Sequence, residues 1–280
     1  MKRIPRVAAI NDISGFGRCS LTTAIPVLSV LGAQCCPVPT AVLSCHTGFE
    51  SFLFEDLTAI IPDYFSSWRA MKLEFDAIYS GFLGSFKQIF LTEKFIREQN
   101  NSPLIIIDTV MGDCGKIYST YSKKMCLEMK KLASLADVVT PNVTEACFLT
   151  GTEYIGENIS IERAVELSEK LSALGVGASV ITGIETENSL VNLVFEKGRA
   201  TSVEIEKAPM VFSGTGDLFA SCLTGLLVGS KPLCDAVYET SRFIFDCISS
   251  TISAETPIME GVQFEPLLYK LGGKFYENRH

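Results

Sequence analysis

Phe212-Ser213-Gly214-Thr215-Gly216-Asp217-Leu218-Phe219-Ala220-Ser221 reads as a glycine-rich turn running straight into a helix, with a carboxylate at the junction. Two glycines flank Thr215, so the backbone can turn sharply and aim its N–H groups into one space. From Leu218 onward the residues are apolar on nearly every side, the pattern of a buried helix. The start of such a helix carries free N–H groups and the positive end of the dipole, which together make an anion site. A carboxylate there, Asp217, is placed to take a proton from a hydroxyl beside a phosphate that is gaining charge. The same residues also read as a plain turn with Asp217 as the helix N-cap.

Outward from this stretch, strands alternate with helices. Arg6–Ile10 is a short apolar strand broken by Asn11-Asp12-Ile13-Ser14-Gly15-Phe16-Gly17, and residues 20–31 are helical in length despite Pro26. A strand is expected over 34–42, a helix over 55–71, a strand over 75–81 and a helix over 86–98. Pro103-Leu-Ile-Ile-Ile107 is a continuous apolar run of the kind found in central parallel strands, and it ends at Asp108. Helices follow over 121–135 and 161–174, with a strand at 178–182. Residues 189–195 and 201–205, divided by Glu196-Lys197-Gly198-Arg199, form an antiparallel edge hairpin, and helices fill 233–252. The pattern specifies an α/β fold with a doubly wound, mostly parallel central sheet flanked by helices. No linker or repeat divides the chain, so residues 1–280 are expected to form a single domain. In such sheets ligands lie beyond the carboxyl ends of the strands, where Asp12, Gly81, Asp108, Asn142 and Thr182-Gly183 all fall.

Composition narrows the partners. Lys plus Arg number 24 against 32 Asp plus Glu, a net charge of −8, which argues against nucleic acid or an anionic membrane as the main partner. The ten cysteines contain no Cys-x-x-Cys pair, and His46 and His280 are the only histidines, so a zinc cluster or a Ser-His-Asp site lacks material. The basic start, Lys2-Arg3-Ile4-Pro5-Arg6, precedes too short an apolar run for a signal peptide, and no stretch spans a bilayer. A reduced, soluble, cytoplasmic protein is expected. Gly15-x-Gly17-x-x-Ser20 lacks the third glycine of a dinucleotide fingerprint, and no Gly-x4-Gly-Lys-[Ser/Thr] occurs.

Three further segments carry chemistry. In Thr140-Pro141-Asn142-Val143-Thr144-Glu145, Asn142 and Glu145 share a helix face. An amide oxygen and a carboxylate with water between them suit magnesium, but a Glu in a first helical turn is also what the dipole favours. Asp108-Thr109-Val110-Met111-Gly112-Asp113, with Gly115 and Tyr118, is a turn-rich loop. Ser44-Cys45-His46-Thr47-Gly48-Phe49 follows the second strand.

Gly214–Asp217 ahead of an apolar helix resembles the ribokinase-like small-molecule kinases, and Asn142-x-x-Glu145 looks like the motif that organises their Mg·ATP site. The other two segments are similar to Asp-Pro-Val-Met/Leu-Gly-Asp and Ser-Asn-His-Thr-Gly-Tyr of the pyridoxal kinases within that superfamily. Together the four segments span residues 10–219 in the family's order. The resemblance implies a magnesium- and ATP-dependent kinase of a B6 vitamer, commonly dimeric. It implies Asp217 as catalytic base, with Gly214, Thr215 and Gly216 as the anion hole. Asp12, Thr47, Phe82 and Asp217 would meet the substrate. Asp108, Asp113, Tyr118, Thr140, Asn142, Thr182, Gly183 and Thr215 would meet ATP, and Glu145, Asn142 and Asp108 the metal. Four positions depart from the family: Asn11-Asp12 replaces Gln-Ser, Thr109 replaces Pro, and Phe82 replaces the Tyr of some members. Cys114 lies near the expected lid, as either an aldehyde-adding thiol or a merely exposed one. A hydroxymethylpyrimidine kinase and a non-catalytic vitamer-binding protein are the alternatives, while Phe49 and Phe82 near the pocket argue against sugars.

Overall fold

The computed structural model describes residues 3–272, so Lys2 of the basic start and His280 lie outside the described residues. Nine strands form one sheet in the order β11-β10-β9-β8-β5-β4-β1-β2-β3. The parallel centre consists of β1 (Arg6–Ser14), β2 (Gln34–Leu43), β4 (Ala77–Ser80), β5 (Leu104–Ile107), β8 (Val138–Val139) and β9 (Ala178–Glu185). The expected hairpin is β10 (Ser189–Glu196) with β11 (Arg199–Glu206), which add antiparallel at one edge. At the other edge β3 (Phe54–Asp56) pairs antiparallel with β2.

Alternation along the strands divides the core. Val7 and Ala9 of β1 face α1 (Ser20–Val30), α7 (Thr215–Val228) and α8 (Leu233–Ser253). Ala8 and Ile10 face the opposite layer, which holds α2 (Ile61–Ala70), α3 (Phe86–Arg97) and α4 (Lys123–Ala133). That layer continues over β9 and β10 through α5 (Val143–Thr150) and α6 (Ile161–Ala173). Because both faces are covered, the central strands read as apolar runs rather than as alternations. No helix among the described residues is long and apolar enough to cross a membrane.

Three elements differ from the sequence expectation. The helix expected from residue 55 begins only at Ile61, with Pro62 in its first turn. The residues ahead of it are β3 and a turn in which Asp56 Oδ1 accepts from the Thr58 N–H. β1 does not break at Asn11-Asp12 but runs on to Ser14, because β2 accompanies it through a register shift between Asn11 and Ile13. The loop after Asp108 contains a small hairpin of β6 (Gly112–Asp113) and β7 (Lys116–Ile117).

The strand order reverses between β1 and β4: β2 and β3 lie on one side of β1, and β4, β5, β8, β9, β10 and β11 on the other. A reversal of this kind opens a crevice above the carboxyl ends of the strands.

Candidate active site

A cavity of about 650 Å³ occupies that crevice. Of the residues that the sequence singled out, Gly214, Thr215, Gly216, Asp217, Asp12, Thr47, Phe82, Asp108, Asp113, Tyr118, Thr140, Asn142, Glu145 and Thr182 line it. Gly183 does not. Its backbone is left-handed (φ 75°), and it sits inside β9, which runs on to Glu185, with its N–H donating to Asn192 Oδ1 on β10. Phe49 is also outside the lining, packed on His46 and Phe16.

The start of α7 is built as the sequence suggested, with one difference. Its N-cap is Gly214, in a left-handed conformation (φ 76°) and with no side-chain cap. Gly214 must be glycine twice over: a Cβ there would also run into the carbonyl oxygen of Arg18. Asp217 is therefore not a cap. Its carboxylate reaches across to β1, where Asn11 Nδ2 donates to Oδ1 at 3.0 Å, and it also accepts from the Ser20 N–H. Burial, and then the charge of Asp12, push the Asp217 carboxyl up to about 6; the Ser20 and Asn11 bonds act against that rise. Leaving the first N–H groups of α7 uncapped beside the cavity keeps them available to an anion.

Asp12 sits at the carboxyl end of β1 and accepts from Ser20 Oγ at 2.6 Å and Ser14 Oγ at 2.8 Å. Burial raises its carboxyl above the usual range, against those two bonds. Ser20 holds a left-handed backbone (φ 52°) that lets one residue serve both acids, its hydroxyl on Asp12 and its N–H on Asp217.

Across the cavity, Asn142 and Glu145 close a capping box on α5. Asn142 Oδ1 accepts from the Glu145 N–H at 2.8 Å, and Glu145 Oε2 accepts from the Asn142 N–H at 3.0 Å. The helix-start reading is thus realised, and the same carboxylate still lines the cavity. Glu145 Oε1 also accepts from the Met111 N–H at 3.0 Å, Thr109 donates its hydroxyl to Oε2, and Asn142 Nδ2 donates to the Gly112 carbonyl. Glu145 thereby anchors the loop after β5, so the threonine at 109 contributes a bond where a proline could give none. Thr140 donates to Asp108 Oδ1 at 2.9 Å. Burial pushes the Glu145 carboxyl up to about 8, and burial with the charges of Glu145 and Asp217 lifts Asp108 well above its ordinary value.

Among the described residues, five carboxylates (Asp12, Asp108, Asp113, Glu145, Asp217) line the cavity and no lysine or arginine does. Asp108 and Glu145 belong to no trio of close His, Cys or carboxylate ligands; among the described residues that arrangement occurs at Asp113, Cys114 and Glu157, by the β6–β7 hairpin. Cys114 is exposed and outside the lining, and its thiol is raised first by the charge of Asp113, which disfavours the reactive thiolate. His46 bonds the Met259 carbonyl through Nε2 at 2.8 Å and accepts from the Gly48 N–H through Nδ1. These bonds tie the Thr47 loop to the segment before Gly261.

A family model described as phosphomethylpyrimidine kinase matches residues 25–260. A pyridoxal kinase of Arabidopsis thaliana is 30% identical over 231 residues, covering 79% of this chain and 73% of its own. The chain belongs to the family of phosphomethylpyrimidine and pyridoxal kinases. Solved structures in this family agree. A Bacteroides thetaiotaomicron protein assigned to the phosphomethylpyrimidine kinases, crystallised with pyridoxal, superposes with a TM-score of 0.92 at 36% identity and covers 96% of both chains. The pyridoxal kinase of Lactobacillus plantarum gives 0.91 at 26% identity, covering 99% of this chain and 100% of its own. The fold is therefore ribokinase-like.

Sequence reasoning missed Asn11, Ser14 and Ser20 as parts of the site. The available signal was a polar pair, Asn11-Asp12, inside a strand where the four residues just before it, Val7–Ile10, are all apolar.

Proposed function

We propose that this protein phosphorylates the 5′-hydroxymethyl group of a B6 vitamer (pyridoxal, pyridoxine or pyridoxamine) with ATP. The observation that carries this reading is the uncapped glycine start of α7, with Asp217 in its first turn aimed at the cavity and tied to β1. The vitamer ring occupies the part bounded by Asp12, Thr47 and Phe82. Phe82 gives the ring an apolar face, and Thr47 offers a hydroxyl to a ring substituent. The nucleotide lies along Asp108, Asp113, Tyr118, Thr140, Asn142, Thr182 and Thr215, with Gly183 and the loop 207–212 bordering it.

The hydroxymethyl oxygen attacks the γ-phosphorus, Asp217 accepts its proton, and the bond to the β-phosphate oxygen breaks to release ADP. The Gly214–Gly216 N–H groups stabilise the charge that develops on the transferring phosphoryl. Asp217 suits a base: raised to about 6, it is ionised at neutral pH yet more basic than a free carboxylate.

The donor set fits magnesium. With Asp12, Asp113 and Asp217 among its carboxylates and no lysine or arginine among the described lining residues, the cavity favours a polyphosphate that arrives with a cation to offset the charge. Glu145, Asn142 and Asp108 would hold hydrated Mg2+, which when bound neutralises phosphate charge. The capping box keeps the Glu145 and Asn142 side chains fixed for that purpose. The family resemblance adds a cytoplasmic homodimer.

Initial rates on pyridoxal, pyridoxine, pyridoxamine and hydroxymethylpyrimidine, with coupled ADP detection, test the reading. At least one vitamer should exceed hydroxymethylpyrimidine in kcat/KM by about tenfold or more. Preference for hydroxymethylpyrimidine would overturn the B6 assignment, and no ATP-dependent turnover would leave a vitamer-binding protein.

A further inference from the structure

Asn11 is fully buried one residue before Asp12, directly after the apolar run Val7–Ile10 of β1. Its side-chain oxygen accepts two backbone N–H groups, from Asp12 at 2.9 Å and from Phe82 at 2.8 Å. Two donors on one oxygen settle which way the amide faces, because the NH₂ end could accept neither. The remaining end, Nδ2, therefore points at Asp217 Oδ1, 206 residues further along the chain. Room for this arrangement comes from Gly81, where a Cβ would collide with the Asn11 amide. A single amide thus joins the end of β1, the turn after β4 and the first turn of α7.

We propose that Asn11 is the positioning residue of the phosphoryl-transfer reaction, orienting the Asp217 carboxylate and fixing it relative to the vitamer wall at Phe82. Donation to Oδ1 engages one carboxylate oxygen and limits rotation of the group, leaving a defined face for the substrate hydroxyl. Donation also favours the ionised carboxylate, the form able to take a proton. The other groups around Asp217 do not provide this. Asp12 on β1 and Asp108 after β5 oppose its charge, and Cys19 at the start of α1, Tyr79 on β4 and Tyr118 in the loop after β5 are all held protonated. Among the described residues, the Ser20 N–H beside Asp217 acts in the same direction as the Asn11 amide. The inference rests on the assignment of Asp217 as base.

Three variants test it. Asn11→Asp is isosteric and keeps both acceptor bonds from Asp12 and Phe82, but it replaces the donor by a second carboxylate. The acid limb of its kcat/KM profile should move up by about one pH unit or more, with activity recovering at high pH. Asn11→Ala should lower kcat about 10- to 100-fold with the KM for vitamer and ATP little changed. In an Asp217→Asn background the same Asn11→Ala change should have less than about a threefold further effect, since residues acting as a unit are not additive. An unmoved acid limb, or an Asn11→Ala loss of the same size in both backgrounds, overturns the proposal. If Asn11→Asp does not fold, the double-mutant comparison decides alone. Asp217→Asn by itself separates the two readings: wild-type turnover there removes the base assignment, whereas a dead Asp217→Asn beside active Asn11 variants removes only the role of Asn11.

Discussion

Gly214 and Gly216 stand two residues apart in one turn, and the structure gives them opposite sensitivities. At Gly214 the backbone is left-handed, which costs any other residue about 1–2 kcal/mol. A Cβ there would also overlap the Arg18 carbonyl oxygen, backbone that cannot swing aside, and overpacking of that kind adds about 1–3 kcal/mol. Gly214→Ala should therefore destabilise the protein by about 2–5 kcal/mol, lowering Tm by about 4–20 °C. At Gly216 the backbone is not left-handed and a Cβ would meet nothing within 4 Å. Gly216→Ala should hold or raise stability, by up to about 1 kcal/mol. Because Gly216 lines the cavity, the added methyl enters space that the phosphoryl group needs. A fall in kcat/KM of about tenfold or more is expected, with folding intact. Denaturant unfolding and coupled ADP assays on the two variants decide the matter. Gly214→Ala within about 0.5 kcal/mol of the parent, or Gly216→Ala with unchanged activity, would refute the reasoning.

Asp217 must be ionised to accept a proton, so kcat/KM should fall with unit slope below about pH 6 and level off above it. Its folded value of about 6 lies above that of an ordinary carboxylate, so the folded state binds the proton more tightly and ionisation works against the fold. Asp217→Asn should accordingly unfold at the same Tm as the parent or higher at pH 8; a clear loss there would contradict the burial argument. Glu145→Gln keeps an acceptor for the Asn142 N–H but removes charge, so the magnesium concentration for half-maximal rate should rise while vitamer KM stays near the parent. An unmoved magnesium titration would make Asn142 and Glu145 a helix start alone. Asp12→Ser should reduce the rate on pyridoxamine relative to pyridoxal, since the buried carboxylate is placed to face an ammonium; an unchanged ratio would remove Asp12 from vitamer selection.

Much of this arrangement is legible in the sequence because it is local. The glycines around Thr215, the apolar run ending at Asp108, and Asn142 spaced three residues from Glu145 each announce their geometry within a few positions. β3 was hidden because its three residues are all exposed and form a strand only by pairing with β2. Asn11-Asp12 looked like a strand end because polarity there is local, while the partners that satisfy it are distant: Asp217 and Phe82 for Asn11, and Ser20 for Asp12. Gly183 reads as the stop of the strand before it, yet β9 runs on through it to Glu185, and its N–H is engaged by Asn192 on β10 rather than turned into the cavity. Its role depends on strand register, which a single sequence does not print.

The central claim is that Asp217 is the base of a phosphoryl transfer to a B6 vitamer. The most direct test is kcat of Asp217→Asn on the vitamer that the wild type prefers, with folding checked by thermal unfolding. The account predicts a fall of about 10²- to 10⁴-fold in a folded protein. Turnover equal to the wild type would contradict it.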